Sequence, residues 1–383
     1  MPGPPLADRR LRFVLGKGGV GKTTVAAAMG LAAARAGGRA LVVEVAGQSH
    51  LARLFRVPEM GHEREAELAP GLWGVSIDAE RATEEYLAGR LKVRPLVEIL
   101  THSKAFHTFA QAAPGLPELV TVGKIWSMAI AIDPGSGRPV WDAVIVDCPA
   151  TGHGIALLET AGNVADLAAE GPIREQAARI QEVVSHPAAT GIVIVALPEE
   201  LAVSEAVEAA AILHGHGLPV AAAVLNGVRP ARFADEEAAA LGRIAASAPG
   251  PVGEGARSAL EHLGHQRADA GHRARLLEGC AVPVTDLPRL VRRRMDLGAV
   301  EELATDGDAD PRVLVGMLEQ VGLVRRGFDA GRSMQIEVPD PPADAAARID
   351  ALLARYEREA LARADRLVRF AESRACRHRQ VAE

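Results

Sequence analysis

The sequence predicts an α/β fold built on a mostly parallel sheet flanked by helices. Three observations lead there. Strand-like runs recur between helical stretches, most of those runs are continuously apolar rather than alternating, and a glycine-rich loop joins the first strand to the first helix. Residues 12–15 (RFVL) read as a short buried strand and 23–36 (TTVAAAMGLAAARA) as an Ala-rich helix. Further strands are expected at 40–45 (ALVVEV), 72–77, 143–147 (AVIVD), 191–197 (GIVIVAL), 220–226 (VAAAVLN) and 282–286. Residues 79–130 carry no strand signal and read as an inserted helical subdomain, broken by APGLP at 113–117.

Past about residue 305 the character changes. The acidic TDGDADP at 305–311 reads as a linker, 333–338 as one more strand, and PDPP at 339–342 as its stop. Residues 343–374 read as a long helix with Ile349, Leu352, Leu353 and Tyr356 at helical spacing and arginines on its other faces. Packing on its own domain is the expected role of that helix, with a dimer or membrane-surface role as the alternative. The domain division is therefore 1–305, with its insert at 79–130, followed by a small extension at 306–383 that ends in the long helix.

The loop Gly16-Lys17-Gly18-Gly19-Val20-Gly21-Lys22-Thr23-Thr24 matches the phosphate-binding pattern G-x-x-x-x-G-K-[ST]. Gly16, Gly18, Gly19 and Gly21 let the backbone turn so that successive N–H groups, including those of Val20 and Thr24, face phosphate oxygens at a helix N-terminus. Lys22 would reach the β- and γ-phosphates and the Thr23 hydroxyl would ligate Mg²⁺. The alternative is a strand-to-helix turn without a ligand. In context the loop predicts a P-loop NTPase that binds ATP or ADP. Asp147, at the end of the 143–147 strand, sits where a ligand to Mg²⁺ through water belongs, although Asp also caps helices. Behind it Thr151, Gly152, His153 and Gly154 read as a mobile segment that senses the γ-phosphate.

Composition excludes other classes. The net charge of −6 and a pI near 6.1 argue against a general nucleic-acid binder. Cys148, Cys280 and Cys376 are widely separated and form no C-x-x-C, so neither a zinc site nor a disulfide framework is expected. No apolar run approaches the ~20 residues that span a bilayer, and Met1-Pro-Gly-Pro-Pro lacks the regions of a signal peptide. The expected location is the cytoplasm.

GKGGVGKTT, with its additional Lys17, resembles the deviant Walker A loop of the ParA/MinD and ArsA branch of P-loop ATPases. DCPATGHG at 147–154 resembles the switch II segment of the ArsA and Get-type targeting ATPases, which narrows the resemblance to that group. Ser76-Ile77-Asp78 and Pro198-Glu199 are supporting matches. The likeness further implies an adenine-reading role for Asn226 and a second adenine-contacting loop in PVTDLP at 283–288, with Leu287 and Pro288 beside the base. It implies a nucleotide-dependent dimer in which Lys17 reaches the partner's phosphates and neutralises charge developing during transfer. An exposed loop lysine is the alternative for Lys17.

The chain departs from this pattern in switch I, where the family's T-D-P-A-H is replaced by EVAGQSH at 44–50. Alignment through 51–55 puts Ala46 at the position of the family's water-activating Asp. Alanine neither accepts a proton nor orients water, which weakens the case for hydrolysis. Glu44, on the same strand face two residues earlier, has three readings: a substitute base, a ligand to Mg²⁺ through water, or a buried paired carboxylate. Gln48 is a second candidate for orienting water. No soft-metal cluster for arsenite is evident, and the helical insert holds a single methionine, Met128.

These residues favour an ATP-hydrolysing dimeric switch, as a homodimer or as a heterodimer with a paralogous ATPase, that couples nucleotide state to an unknown client protein. The alternative is a hydrolysis-deficient nucleotide-binding subunit or scaffold. Oxyanion export and positioning on DNA or a membrane are weaker readings. No nucleic acid is expected as a partner, while Arg374, Arg377 and Arg379 leave membrane-surface association open.

Overall fold

The structure is a computed structural model. Described here are residues 5–45, 50–58, 60–62, 64–79, 81–83, 85, 115–168, 170–230, 232–233, 235–290, 300, 303–304, 325–328 and 334–337. The chain divides into two compact units, Met1–Gly307 and Asp308–Glu383.

The first unit carries a sheet of eight strands: β1 (Leu11–Leu15), β2 (Ala40–Val45), β3 (Ala66–Ala69), β4 (Leu72–Ile77), β5 (Ala143–Asp147), β6 (Thr190–Ala196), β7 (Val220–Val228) and β8 (Val284–Pro288). Their spatial order is β3-β4-β2-β5-β1-β6-β7-β8. Every pairing is parallel except that of β3 with β4. β1, β5 and β6 are buried at every residue, so apolar side chains project into the core from both faces, as their largely apolar sequence predicts.

The described helices of this unit are α1 (Lys22–Arg35), α2 (His50–Phe55), α3 (Leu116–Ile130), α4 (Thr151–Leu167), α5 (Pro172–Ser185), α6 (Glu200–Gly215), α7 (Ala238–Ser247) and α8 (Pro251–Cys280). α1 is Ala-rich, and its small residues Ala26, Ala27 and Ala28 lie buried against the sheet. α3 starts as the Pro/Gly break predicts: Gly115 takes a left-handed conformation with φ 82°, and a proline follows in the first turn.

Two differences from the expected elements have physical causes. β8 runs two residues later than expected because its register is set by β7, with Ala223 opposite Val284 and Leu225 opposite Asp286. β3 carries no strand signal of its own and forms as a short antiparallel edge on β4. Of the expected insert, only 79, 81–83, 85 and 115–130 are described, and the expected 343–374 helix lies outside the described residues. In the second unit, β9 (Arg325–Phe328) pairs antiparallel with β10 (Met334–Glu337), where the 333–338 strand is expected.

Candidate functional site

The carboxyl ends of β1, β2 and β5 open on a cleft of ≈ 980 Å³. Its walls bring together Gly18, Gly19, Gly21, Lys22, Thr23 and Thr24 of the loop, Glu44 of β2, Asp147 and His153. The loop geometry depends on two glycines. Gly16 has φ 152°, and a Cβ there would collide with the Val195 carbonyl oxygen. Gly21 has φ 93°, and a Cβ would collide with the Asn226 amide nitrogen.

Lys22 donates from Nζ to the carbonyls of Gly16 and Lys17, 3.0 Å each, and so holds the loop closed around its own ammonium. Burial lowers the Lys22 pKa, opposed by Asp147 and Cys148. The Thr23 hydroxyl donates to Asp147 Oδ2 at 2.6 Å. Asp147 is 5% exposed; burial pushes its carboxyl up to about 6, with neighbouring Glu44 adding to the rise and the Thr23 bond and Lys22 opposing it.

Glu44 stands opposite Asp147 in the β2–β5 register, so the two carboxylates are neighbours on the sheet. Glu44 is 2% exposed, and its Oε1 accepts the His50 backbone N–H at 2.7 Å. Burial raises its pKa, opposed by that N–H and by the charges of His50 and Arg53. Glu44 Oε2 and Asp147 Oδ1 are both buried without a hydrogen-bond partner. A buried acceptor left unmet costs about 1–3 kcal/mol, so this end of the cleft is built for something that supplies positive charge or protons. Oxygen donors with unmet lone pairs fit a hard cation such as Mg²⁺. Among the described residues no group of three or more His, Cys, Asp or Glu side chains is arranged as a metal site.

Other expected site residues fall outside the cleft walls. Lys17 points to α6, with Nζ 2.6 Å from Glu205 Oε1. Asn226 flanks the loop from β7 and donates to the Val20 carbonyl at 2.8 Å. Leu287 is its register partner on β8, and Pro288 pairs with Val228. Thr151 and Gly152 form the first turn of α4. Gln48 and Ala46 lie outside the described residues. Cys148, beside Asp147, is buried, and burial raises its thiol pKa steeply, so it is an inert packing residue. No described helix is long and apolar enough to cross a membrane.

The sequence reading missed four polar or charged residues on the cleft walls: His50 and Arg53 on α2, and Glu118 and Thr121 on α3. Glu118 and Thr121 are three apart on a helix that starts at the Pro/Gly break, a spacing that puts them on one face. For Arg53 nothing local marks it; only the placement of α2 beside β2 does.

The sequence profile of the anion-transporting ATPase family matches residues 9–171. The chain is 31% identical over 323 residues to ATPase BagA of Mycobacterium tuberculosis, an alignment covering 78% of this chain and 92% of that protein. It is 29% identical over 248 residues to a putative arsenical pump-driving ATPase of Halobacterium salinarum, covering 60% of this chain and 37% of that one. An arsenical pump-driving ATPase of Escherichia coli is 28% identical over 235 residues, 57% of this chain and 39% of that protein.

Proposed function

This chain belongs to the anion-transporting ATPase family, and on that premise we propose that it is an ATP-binding dimeric switch whose nucleotide state controls contact with a client protein. The observation that carries the reading is the Thr23–Asp147 hydrogen bond beside Lys22, in the wall of a cleft that the glycine loop also lines. In this reading the loop N–H groups and Lys22 hold the triphosphate, Thr23 would hold Mg²⁺ directly and Asp147 through water, and Asn226 with Leu287 and Pro288 flank the base. Mg²⁺ bound with the nucleotide supplies charge neutralisation on the phosphates. Thr23 and Asp147, now bonded to each other, would be the residues that hold the cation, and His153 at the start of α4 would carry the nucleotide state away from the cleft. Two copies close on the nucleotide, and Lys17 leaves Glu205 to reach the partner's phosphates.

Native mass spectrometry of the full chain with and without AMP-PNP and Mg²⁺ tests this. The expected result is a nucleotide-loaded dimer with the analogue and a monomer without it. A chain that takes up no nucleotide sinks the whole reading, and a loaded monomer sinks the dimeric part.

Ala46 favours a second reading, a slow or inactive subunit that binds nucleotide and works beside a paralogous ATPase. Steady-state phosphate release separates the two. For the second reading, wild-type turnover is near zero and Ala46→Asp raises it by about 10²-fold or more, the contribution of a positioned general base. Robust wild-type turnover that Glu44→Gln abolishes would instead make Glu44 the substitute base.

A further inference from the structure

We propose that Arg53 is the residue by which this chain tells ATP from ADP, its guanidinium taking oxygens of the terminal phosphate from the α2 wall of the cleft. The inference rests on the nucleotide reading of that cleft.

The sheet order gives the direction in which a nucleotide lies. Asn226, Leu287 and Pro288 are on β7 and β8, to one side of β1 and its glycine loop. Asp147 and Glu44 are on β5 and β2, to the other side. A base held on the β7–β8 side sends its phosphates across the loop toward β5 and β2, so the terminal phosphate arrives where α2 follows β2.

α2 is held there by packing. Leu51 is fully buried and Leu54 and Phe55 nearly so, which leaves His50 and Arg53, three residues apart, along the open side of the helix and on the cleft wall. Arg53 also lies close enough to the end of β2 for its charge to act on the Glu44 carboxyl.

Charge accounting gives Arg53 its task. The described wall residues include three carboxylates, Glu44, Glu118 and Asp147. Against them stand Lys22, two histidines and Arg53, which like Lys22 has contacts of its own within the chain. A terminal phosphate carries the charge that ADP lacks, and a guanidinium fork matches two phosphate oxygens where an ammonium meets them as a point charge. Arg53 is the one guanidinium among the described wall residues.

Equilibrium titrations of AMP-PNP and of ADP, each with Mg²⁺, into wild type, Arg53→Ala and Arg53→Lys test the proposal. Loss of a charge-assisted contact predicts that Arg53→Ala weakens AMP-PNP by at least about tenfold. ADP affinity stays within about threefold, the scale of an indirect effect. Arg53→Lys keeps the charge but not the fork, falls between the two for AMP-PNP, and reports even if the alanine variant is poorly folded. Equal weakening of both nucleotides, or no change in either, overturns the role of Arg53. Failure of the wild-type chain to bind either nucleotide overturns instead the reading of the cleft.

Discussion

Lys17 Nζ lies 2.6 Å from Glu205 Oε1, so the second lysine of the glycine loop is engaged within its own chain, across 188 positions of sequence. Each side chain keeps about a third of its surface in solvent, at 36% and 34%. A pair so exposed contributes about 0–1 kcal/mol, because water screens the attraction and two long side chains must be ordered. Such a contact holds Lys17 and yields readily to a stronger anion.

Glu205→Gln removes the charge that holds Lys17 and keeps the shape of α6. The expected outcome is a stability change below about 1 kcal/mol in urea titration. Sedimentation velocity should show a larger dimer fraction at sub-saturating AMP-PNP. An unchanged dimer fraction would mean that the cis pair does not compete with the trans role of Lys17.

Arg229 at the end of β7 gives its backbone N–H to Asp269 Oδ2 at 3.0 Å and its guanidinium to Oδ1 at 2.7 Å. Asp269 is 3% exposed, so the bond ties the strand that carries Asn226 to α8 through a buried charge. Arg229→Ala strands that carboxylate with only one donor. It should cost about 2–3 kcal/mol in chemical unfolding, the scale of a hydrogen bond to a charged group. A cost indistinguishable from zero would show that water replaces the guanidinium.

Asp147 makes stability depend on pH. Its folded carboxyl titrates near 6, above the ordinary 3.8, so between those values the folded chain binds more protons than the unfolded one. Stability therefore falls as pH rises from about 4 to 6 and stays lower above that, by at most about 3 kcal/mol. Glu44, raised in the same direction, adds to the trend. Asp147→Asn should flatten the thermal-midpoint profile between pH 4.5 and 7 and raise the midpoint of the nucleotide-free protein at pH 7.5. It should also abolish the further stabilisation given by Mg²⁺ with AMP-PNP. A variant less stable than wild type at pH 7.5 without nucleotide would contradict this account.

Much of the fold is legible in the sequence because it rests on local chemistry. Parallel strands buried on both faces are mostly apolar along their length, so β2, β4 and β5 have the expected bounds and β1 and β6 start one residue earlier than expected. The edges are less legible. Ala66–Ala69 pairs only because β4 offers it a partner, and β8 takes its bounds from β7. The loop is legible for the same local reason: Gly16 and Gly21 occupy backbone conformations and close approaches that a side chain forbids.

The sequence by itself determined the parallel α/β frame, the glycine loop after β1 and the carboxylate at the end of β5, since each is fixed by backbone conformation, burial or position along one strand. Only the tertiary structure decided the partners. It set Thr23 against Asp147, Asn226 against the Val20 carbonyl, Lys17 against Glu205 and Arg53 onto the cleft wall. These meetings join residues from separate elements, and their geometry follows from sheet order and helix packing, which no local pattern encodes.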